Sequence, residues 1–203
     1  MTTLIRLENV RLSFPFLFKP RKFQDNEDST PRFEASFLYS TETSSVRIFN
    51  MVNKKREGEK VYEGERGLAY LNHSIKKAID TKWPGKTKGV KTCLNDGNEK
   101  EYDGYEDVWV ISAANKIRPT VVDQRGKPIT AEDGTIFGGC YVNAIIGWWA
   151  QDNKWGKRIN CNLDAVQLFR TGEPLGASVV GADAFDSVDE EYADDDDDYS
   201  EFD

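Results

Sequence analysis

Three tryptophans and three cationic side chains share one short stretch, GWWAQDNKWGKR at residues 147–158. An indole ring can fill a protein core, or it can offer a flat face to a ligand. A nucleobase stacks on such a face with about 1–3 kcal/mol, while neighbouring cations bind the phosphates. The stretch therefore has the side chains of a single-stranded nucleic-acid site, provided that its strands turn the rings outward.

Two predicted strands, residues 138–150 and 156–169, flank these rings and decide which are exposed. Their alternating apolar sets are predicted to face the core: Val142, Ala144, Ile146 and Trp148, then Ile159, Cys161 and Leu163. The opposite face and the turn carry the candidate ligand contacts: Tyr141, Asn143, Trp149, Lys154, Trp155, Lys157, Arg158, Asn160 and Asn162. Simple packing is the competing interpretation. The pattern favours packing for Trp148 and leaves it open for Trp149 and Trp155.

Lysines supply a second candidate contact surface, because six of them between positions 76 and 91 face only one acid, Asp80. Phosphate contacts provide most non-specific nucleic-acid affinity. The candidates for such contacts are Lys86, Lys88 and Lys91, with Lys116 and Arg118 at the end of a further strand. A solvated surface without a ligand is the alternative reading of the same lysines.

Charge is divided unevenly along the 203 residues, whose formal net charge is −8. Residues 182–203 carry twelve acids and no Lys or Arg, which leaves 27 basic and 23 acidic residues, a net of +4, before them. Such an acidic run cannot bury enough apolar surface to order itself. We expect a domain at 1–176 and a flexible linker with a disordered acidic tail at 177–203. The tail's Tyr192, Tyr199 and Phe202 are candidates for docking on partner proteins.

The rest of the chain is mainly β in pattern. Alternation predicts strands at 4–14, 32–40 and 106–119 and a hairpin at 121–130, while prolines mark 15–31 as a loop. Apolar spacing predicts helices at 44–57 and 67–80. Many strands with one or two helices predict an OB-fold-like five-stranded barrel.

Catalytic and metal chemistry find little support in the sequence. The lone histidine, His73, lies in a lysine-bearing predicted helix and is expected to be solvated. Cys93, Cys140 and Cys161 have neither zinc-site nor disulfide-motif spacing, which predicts free thiols in a reducing cytosol. No signal peptide, membrane span, cofactor or metal is expected.

Five motifs in order carry a family resemblance: RLSFPFLF, IRPTVVDQRGKPIT, GCYVNAII, WWAQDNKWGKRIN and AVQLFRTGEPLG. Over residues 4–176 the chain resembles the single-stranded DNA-binding proteins of tailed bacteriophages. The resemblance implies an OB-fold, sequence-independent binding of single-stranded DNA, and a role in phage replication or recombination in the infected host's cytoplasm. The chain also resembles other phage and bacterial single-stranded DNA-binding proteins in its acidic tail, which we expect to contact replication proteins, with a role in solubility alone as the alternative. The bacterial relatives end on phenylalanine, whereas here Phe202 is penultimate.

Two other function classes remain open from the sequence. A carbohydrate-binding β-module also uses exposed tryptophans, but it requires neither a basic body nor an acidic tail. A nucleic-acid-processing enzyme would require a catalytic constellation that the sequence does not display. Salt-dependent binding of an oligothymidylate, without change to it, distinguishes the DNA-binding interpretation from both.

Overall fold

A computed structural model describes residues 3–22, 29–53, 55–85 and 88–176, and within them the fold has nine strands and one α-helix. The helix is α1 (Gly64–Lys82), followed later by a single 3₁₀ turn (Gly97–Glu99). The strands are β1 (Thr3–Arg21), β2 (Arg32–Tyr39), β3 (Ser45–Val52), β4 (Lys55–Glu63), β5 (Leu94–Asp96), β6 (Trp109–Asn115), β7 (Thr120–Val122), β8 (Tyr141–Asn153) and β9 (Gly156–Arg170).

The long strand β1 closes five strands into a barrel. Its first part pairs with β8 and its second part pairs with β2, both antiparallel. The chain of neighbours β2–β6–β9–β8–β1 therefore returns to β2. Within this ring β6 and β9 are parallel, joined at Ala113 and Cys161. The predicted OB-fold-like five-stranded barrel is confirmed.

Alternation along the strands fills the barrel with apolar side chains, as the sequence predicts. In β8 and β9 the predicted inward residues Val142, Ala144, Ile146, Ile159, Cys161 and Leu163 are all buried. Trp148 continues this set and packs against the core, but it is only half-buried. Its indole nitrogen donates to Ser74 Oγ of α1 at 2.9 Å, so the ring also attaches the helix to the barrel.

Helix α1 confirms the second predicted helix. Leu68, Leu71 and Ile75 recur at spacings of three and four and form its buried face. The helix ends at Trp83, whose backbone N–H donates to Ile79 O, and Pro84 follows. A proline at that position cannot continue the helical hydrogen-bond pattern. His73 lies on the exposed side, as expected.

The predicted helix at 44–57 is wrong, because this segment forms the hairpin of β3 and β4. Val46, Ile48 and Val52 are β-branched and favour a strand, although their spacing also fits a short helical window. Val52 pairs with Lys55, and Asn53 between them has φ of +49°, a left-handed conformation that Asn tolerates in tight hairpins.

The predicted loop at 15–31 is also partly wrong, since β1 continues to Arg21. Pro15 and Pro20 suggested irregular structure. Both lie where the β1–β2 register is interrupted, between Ser13 and Phe16 and between Phe16 and Arg21. A proline is tolerated at such bulges because no ladder hydrogen bond from its nitrogen is required.

Helix α1 approaches the barrel closely at one glycine. A Cβ added at Gly67 would lie 2.0 Å from Tyr39 Oη and 2.8 Å from the carbonyl oxygen of Tyr62. Tyr39 is fully buried, and its hydroxyl donates to Gly64 O at 2.9 Å. The hydrogen bond and the absence of a side chain at Gly67 together allow the first turn of α1 to pack directly against Tyr39.

Gly67→Ala is expected to lower the free energy of unfolding by about 1–3 kcal/mol, because overpacking forces the helix away from Tyr39. Urea unfolding monitored by tryptophan fluorescence measures this loss. Gly147→Ala is the matched control, because its new Cβ would meet its nearest neighbour, Asp164 Oδ2, at an ordinary 3.9 Å. Equal stability of the two variants would contradict the close-approach account.

Candidate nucleic-acid interface

A groove of about 610 Å³ crosses the outer face of the barrel over β2, β6 and β9 and reaches Trp149 at the side of β8. Small and polar side chains form much of its surface, including Ser36, Asn95, Ser112, Ala114 and Asn160. The buried residues Ala35, Cys93, Val110, Ala113 and Cys161 form its floor. The groove therefore runs across adjacent strands and leaves their backbone covered by small groups.

Cations dominate the charge of this groove. Its described lining contains one acid, Glu34, against five cations: Arg21, Arg32, Lys91, Lys100 and Arg158. Glu34 pairs with Arg21 at 3.1 Å. In the described part of the chain, the other four cations have no salt bridge to an acid. Four uncompensated positive charges on one concave surface attract a polyanion.

Two like-charge pairs are held together by backbone pairing. Arg21 lies opposite Arg32 in the β1–β2 register. Lys91 forms a parallel bridge with Arg158, fixed by hydrogen bonds from Lys91 N to Lys157 O at 3.0 Å and from Ile159 N to Lys91 O at 2.9 Å. Like charges opposite each other destabilise a sheet. Glu34 compensates Arg21, whereas Lys91 and Arg158 have no salt bridge to an acid in the described part of the chain, so this second pair is a concentration of unbalanced positive charge.

Trp149 contributes the aromatic surface at one side of the groove. It lies opposite Asn160 in the β8–β9 ladder and on the outward face of β8, half-buried. Asn160 donates from Nδ2 to Gln151 Oε1 at 2.9 Å, which fixes its amide beside the ring. The structure thus brings four predicted contacts into one groove: Lys91, Trp149, Arg158 and Asn160.

A β-bulge places a second ring at the groove's edge. Phe14 lies in the register shift between Ser13 and Phe16, and its φ is +47°. A bulky residue with positive φ is an outlier that persists only where surrounding structure enforces it. The bulge turns Phe14 out of the core and leaves 45% of the residue exposed.

The β8–β9 hairpin carries three more predicted contacts away from the groove. At its tip Trp155 is 80% exposed, with Lys154 Nζ 5.2 Å from the centre of its ring. Lys157 lies 5.6 Å from the ring of Trp83. Trp83 is buried and donates to Asp152 Oδ2 at 3.0 Å, which supports the hairpin against the end of α1. Trp155 is therefore a largely exposed ring, with a cation over it, on a hairpin that is anchored to the end of α1.

Other predicted contacts lie elsewhere. Tyr141 and Asn143 share the outward face of β8 with Trp149, but Tyr141 is eight positions away, about 26 Å along a strand. Arg170 covers the Tyr141 ring at 3.3 Å, and Asn143 bonds Asn9 and Gln167. The exposed cations Lys88, Lys116 and Arg118 do not line the groove. Lys86 and the tail residues Tyr192, Tyr199 and Phe202 lie outside the described residues.

Sequence reasoning missed four groove residues. Arg21 and Lys100 fell in segments without a predicted element, and Arg32 opens a strand whose neighbours were unknown. Phe14 was only the last residue of the strand predicted at 4–14, so no pattern marked it as turned outward. The motif RLSFPFLF contains the signal, since Pro15 after Phe14 interrupts regular pairing.

The reactive side chains of the groove are few among the described residues. Glu34 is the one carboxylate in the described lining and is paired with Arg21. Burial, with the neighbouring Cys93 thiol, raises the pKa of the Cys161 thiol well above its usual value, which keeps it protonated and a poor nucleophile. Across the described ranges no three His, Cys, Asp or Glu side chains group to hold a metal, and no helix is long and apolar enough to cross a membrane.

Comparisons with known proteins agree with this geometry. The chain is 35% identical over 185 residues, 91% of its length and 93% of the relative's, to putative protein p50 of Acyrthosiphon pisum secondary endosymbiont phage 1. It resembles the single-stranded DNA-binding protein of bacteriophage Enc34, solved in complex with single-stranded DNA, with 27% identity and a TM-score of 0.66 over 84% of this chain and 88% of that one.

A more distant structure is gp2.5, the single-stranded DNA-binding protein encoded by bacteriophage T7. Its TM-score is 0.52 over 89% of this chain and 98% of that one. At 12% identity this likeness shows the shared fold alone. The Enc34 relative is named as a DNA-binding protein, in agreement with the non-enzyme interpretation of the sequence. The family model for the single-stranded DNA-binding protein of Enterobacter phage Enc34 matches residues 3–199, and the chain belongs to that family.

Proposed function

We propose that this protein binds single-stranded DNA, without preference for sequence, in the groove across β2, β6 and β9. The observation that carries the proposal is the placement of Trp149 beside the uncompensated pair Lys91 and Arg158. A stacking ring next to two cations matches the alternation of base and phosphate along a single strand. Family membership supports the same ligand.

Two kinds of contact bind the DNA in the groove, one to the phosphates and one to the bases. Arg32, Lys91, Lys100 and Arg158 neutralise phosphates, and release of counterions from the DNA drives this step. Trp149 stacks on a base, and every base offers a π-face, so stacking does not select a sequence. Arg32 lies in β2 and Arg158 in β9, while Lys91 and Lys100 lie in the segments on either side of β5. The bound DNA therefore crosses the strands rather than following one of them.

The hairpin arm extends this binding surface. Trp155 and Lys154 at its tip provide a second ring and a further cation. The arm is supported through Trp83 and Asp152, so a base stacked on Trp155 would be held at a defined distance from the groove. We infer that longer strands contact both Trp149 and Trp155.

The proposed biological role is the protection of single-stranded DNA. The protein would coat single-stranded DNA during phage replication or recombination in the host cytoplasm. Its acidic tail would compete with DNA for the cationic groove and, once displaced, dock Tyr192, Tyr199 and Phe202 on basic pockets of replication proteins. The opposed charges of tail and body support this proposal. A tethered segment reaches effective concentrations in the millimolar range.

Trp149→Ala is expected to weaken binding of an oligothymidylate by about 1–3 kcal/mol, because one base loses its stacking partner. Fluorescence anisotropy of a labelled oligomer measures the affinity, and thermal unfolding verifies the fold. Phe169→Ala is the matched control, since Phe169 is 47% exposed on β9 and does not line the groove. Unchanged affinity of both Trp149→Ala and Trp155→Ala would refute base stacking on these rings.

Ending the chain after Gly181 is expected to tighten binding of single-stranded DNA at low salt, since the competing polyanion is removed. The advantage should shrink as salt rises, because both competitors are held by screened charges. Titrations of full-length and shortened protein over a range of salt concentrations test this. A variant with the tail's acids replaced by Asn and Gln controls for length. Equal affinities at every salt concentration would eliminate tail competition.

A further inference from the structure

A second cleft, of about 400 Å³, lies beyond the edge of the groove. Its walls come from Phe14, Tyr102 and Tyr105, with Gly138 and Leu175 closing it. The rings of Phe14 and Tyr102 meet edge to face at 5.3 Å, and those of Tyr102 and Tyr105 at 5.2 Å. Tyr105 is buried and anchored by a hydrogen bond from its hydroxyl to Ser13 Oγ at 3.0 Å.

This aromatic cleft is contiguous with the groove through one residue. Phe14 lines both cavities, at the bulge where β1 departs from regular pairing with β2. The positive φ of Phe14 is an unfavourable backbone conformation. Phe14 is 45% exposed to solvent and Tyr102 is 52% exposed. A strained backbone that exposes an aromatic side chain between two cavities indicates a ligand-binding role for that ring.

The charge of the cleft differs from that of the groove. Its described lining contains no Lys or Arg and one acid, Asp103, whereas five cations line the groove. A phosphate would be repelled from the cleft and retained by the groove. An uncharged nucleobase, in contrast, gains stacking surface on the exposed rings of Phe14 and Tyr102 and leaves its charged backbone outside the cleft. Asp103 also disfavours the acidic tail of this chain as the occupant.

We propose that the cleft formed by Phe14, Tyr102 and Tyr105 is a separate nucleobase-binding site, filled by a base at the end of the strand that crosses the groove. The proposal rests on the proposed binding of single-stranded DNA. The cavity lies in the size range of small-ligand sites, and its aromatic walls provide the stacking that a base requires. Only a strand long enough to extend beyond the groove can fill the cleft, so the cleft makes affinity depend on the length of the DNA rather than on its sequence.

The test compares oligothymidylates of about 4 to 16 nucleotides, the range of footprints on one OB-fold. Tyr102→Ala should bind the shortest oligomers, which fill only the groove, as the unmodified protein does. On longer oligomers it should lose about 5-fold or more in affinity, the equivalent of one stacked base. Tyr102→Phe keeps the ring and should retain the affinity. Phe169→Ala, of similar exposure but outside both cavities, should behave as the unmodified protein.

Two results would overturn the proposal while leaving DNA binding intact. Tyr102→Ala could bind every length as tightly as the unmodified protein, so that no base occupies the cleft. It could instead bind every length more tightly, which would assign the cleft to the competing acidic tail. Failure of the unmodified protein to bind any oligomer would refute the proposed function itself and is therefore distinguishable from both.

Discussion

The shared use of β1 by two neighbours is the constraint on which the rest of the structure depends. One 19-residue strand pairs with β8 and then with β2, and it can do so only because it bends. The register breaks at Asn9 and Phe14, and both residues have positive φ. These two bulges close the barrel, and closure brings β2, β6 and β9 side by side as the surface of the groove. The second bulge also turns Phe14 outward at the groove's edge.

Barrel closure also concentrates charge in a way that stability alone does not explain. Arg21 faces Arg32 and Lys91 faces Arg158, each pair fixed by backbone hydrogen bonding rather than by attraction between side chains. Glu34 neutralises Arg21, but Lys91 and Arg158 have no salt bridge to an acid among the described residues. Around Glu8, in contrast, opposite charges are paired. Glu8 accepts hydrogen bonds from Arg6 and Arg47, and although burial alone would raise its pKa, these bonds hold that pKa below its usual value. The contrast locates the unmatched charge at the proposed DNA site.

Local pattern predicted much of the fold and part of the site. Alternation identified the inward residues of β8 and β9, and with them the outward position of Trp149, because strand faces follow directly from a period of two. It could not show that Tyr141 lies at the far end of that face, or that Lys91 meets Arg158, since both depend on strand length and on pairing across the barrel. The hairpin of β3 and β4 was misread because Val46, Phe49 and Val52 recur at helical spacing, while Val46, Ile48 and Val52 also fit one face of a strand. Phe14 was missed because a bulge changes the face of a residue without changing its type.

The central claim is that Lys91 and Arg158 are held together in order to bind phosphates. The most direct measurement is the dependence of oligothymidylate affinity on salt for Lys91→Gln and Arg158→Gln, with Lys55→Gln on the exposed strand β4 as the control. Each lost phosphate contact should reduce the slope of log K against log salt by about 0.7, and the control should keep the full slope. Slopes unchanged in both groove variants would contradict the account, because the paired cations would then make no contact with the DNA backbone.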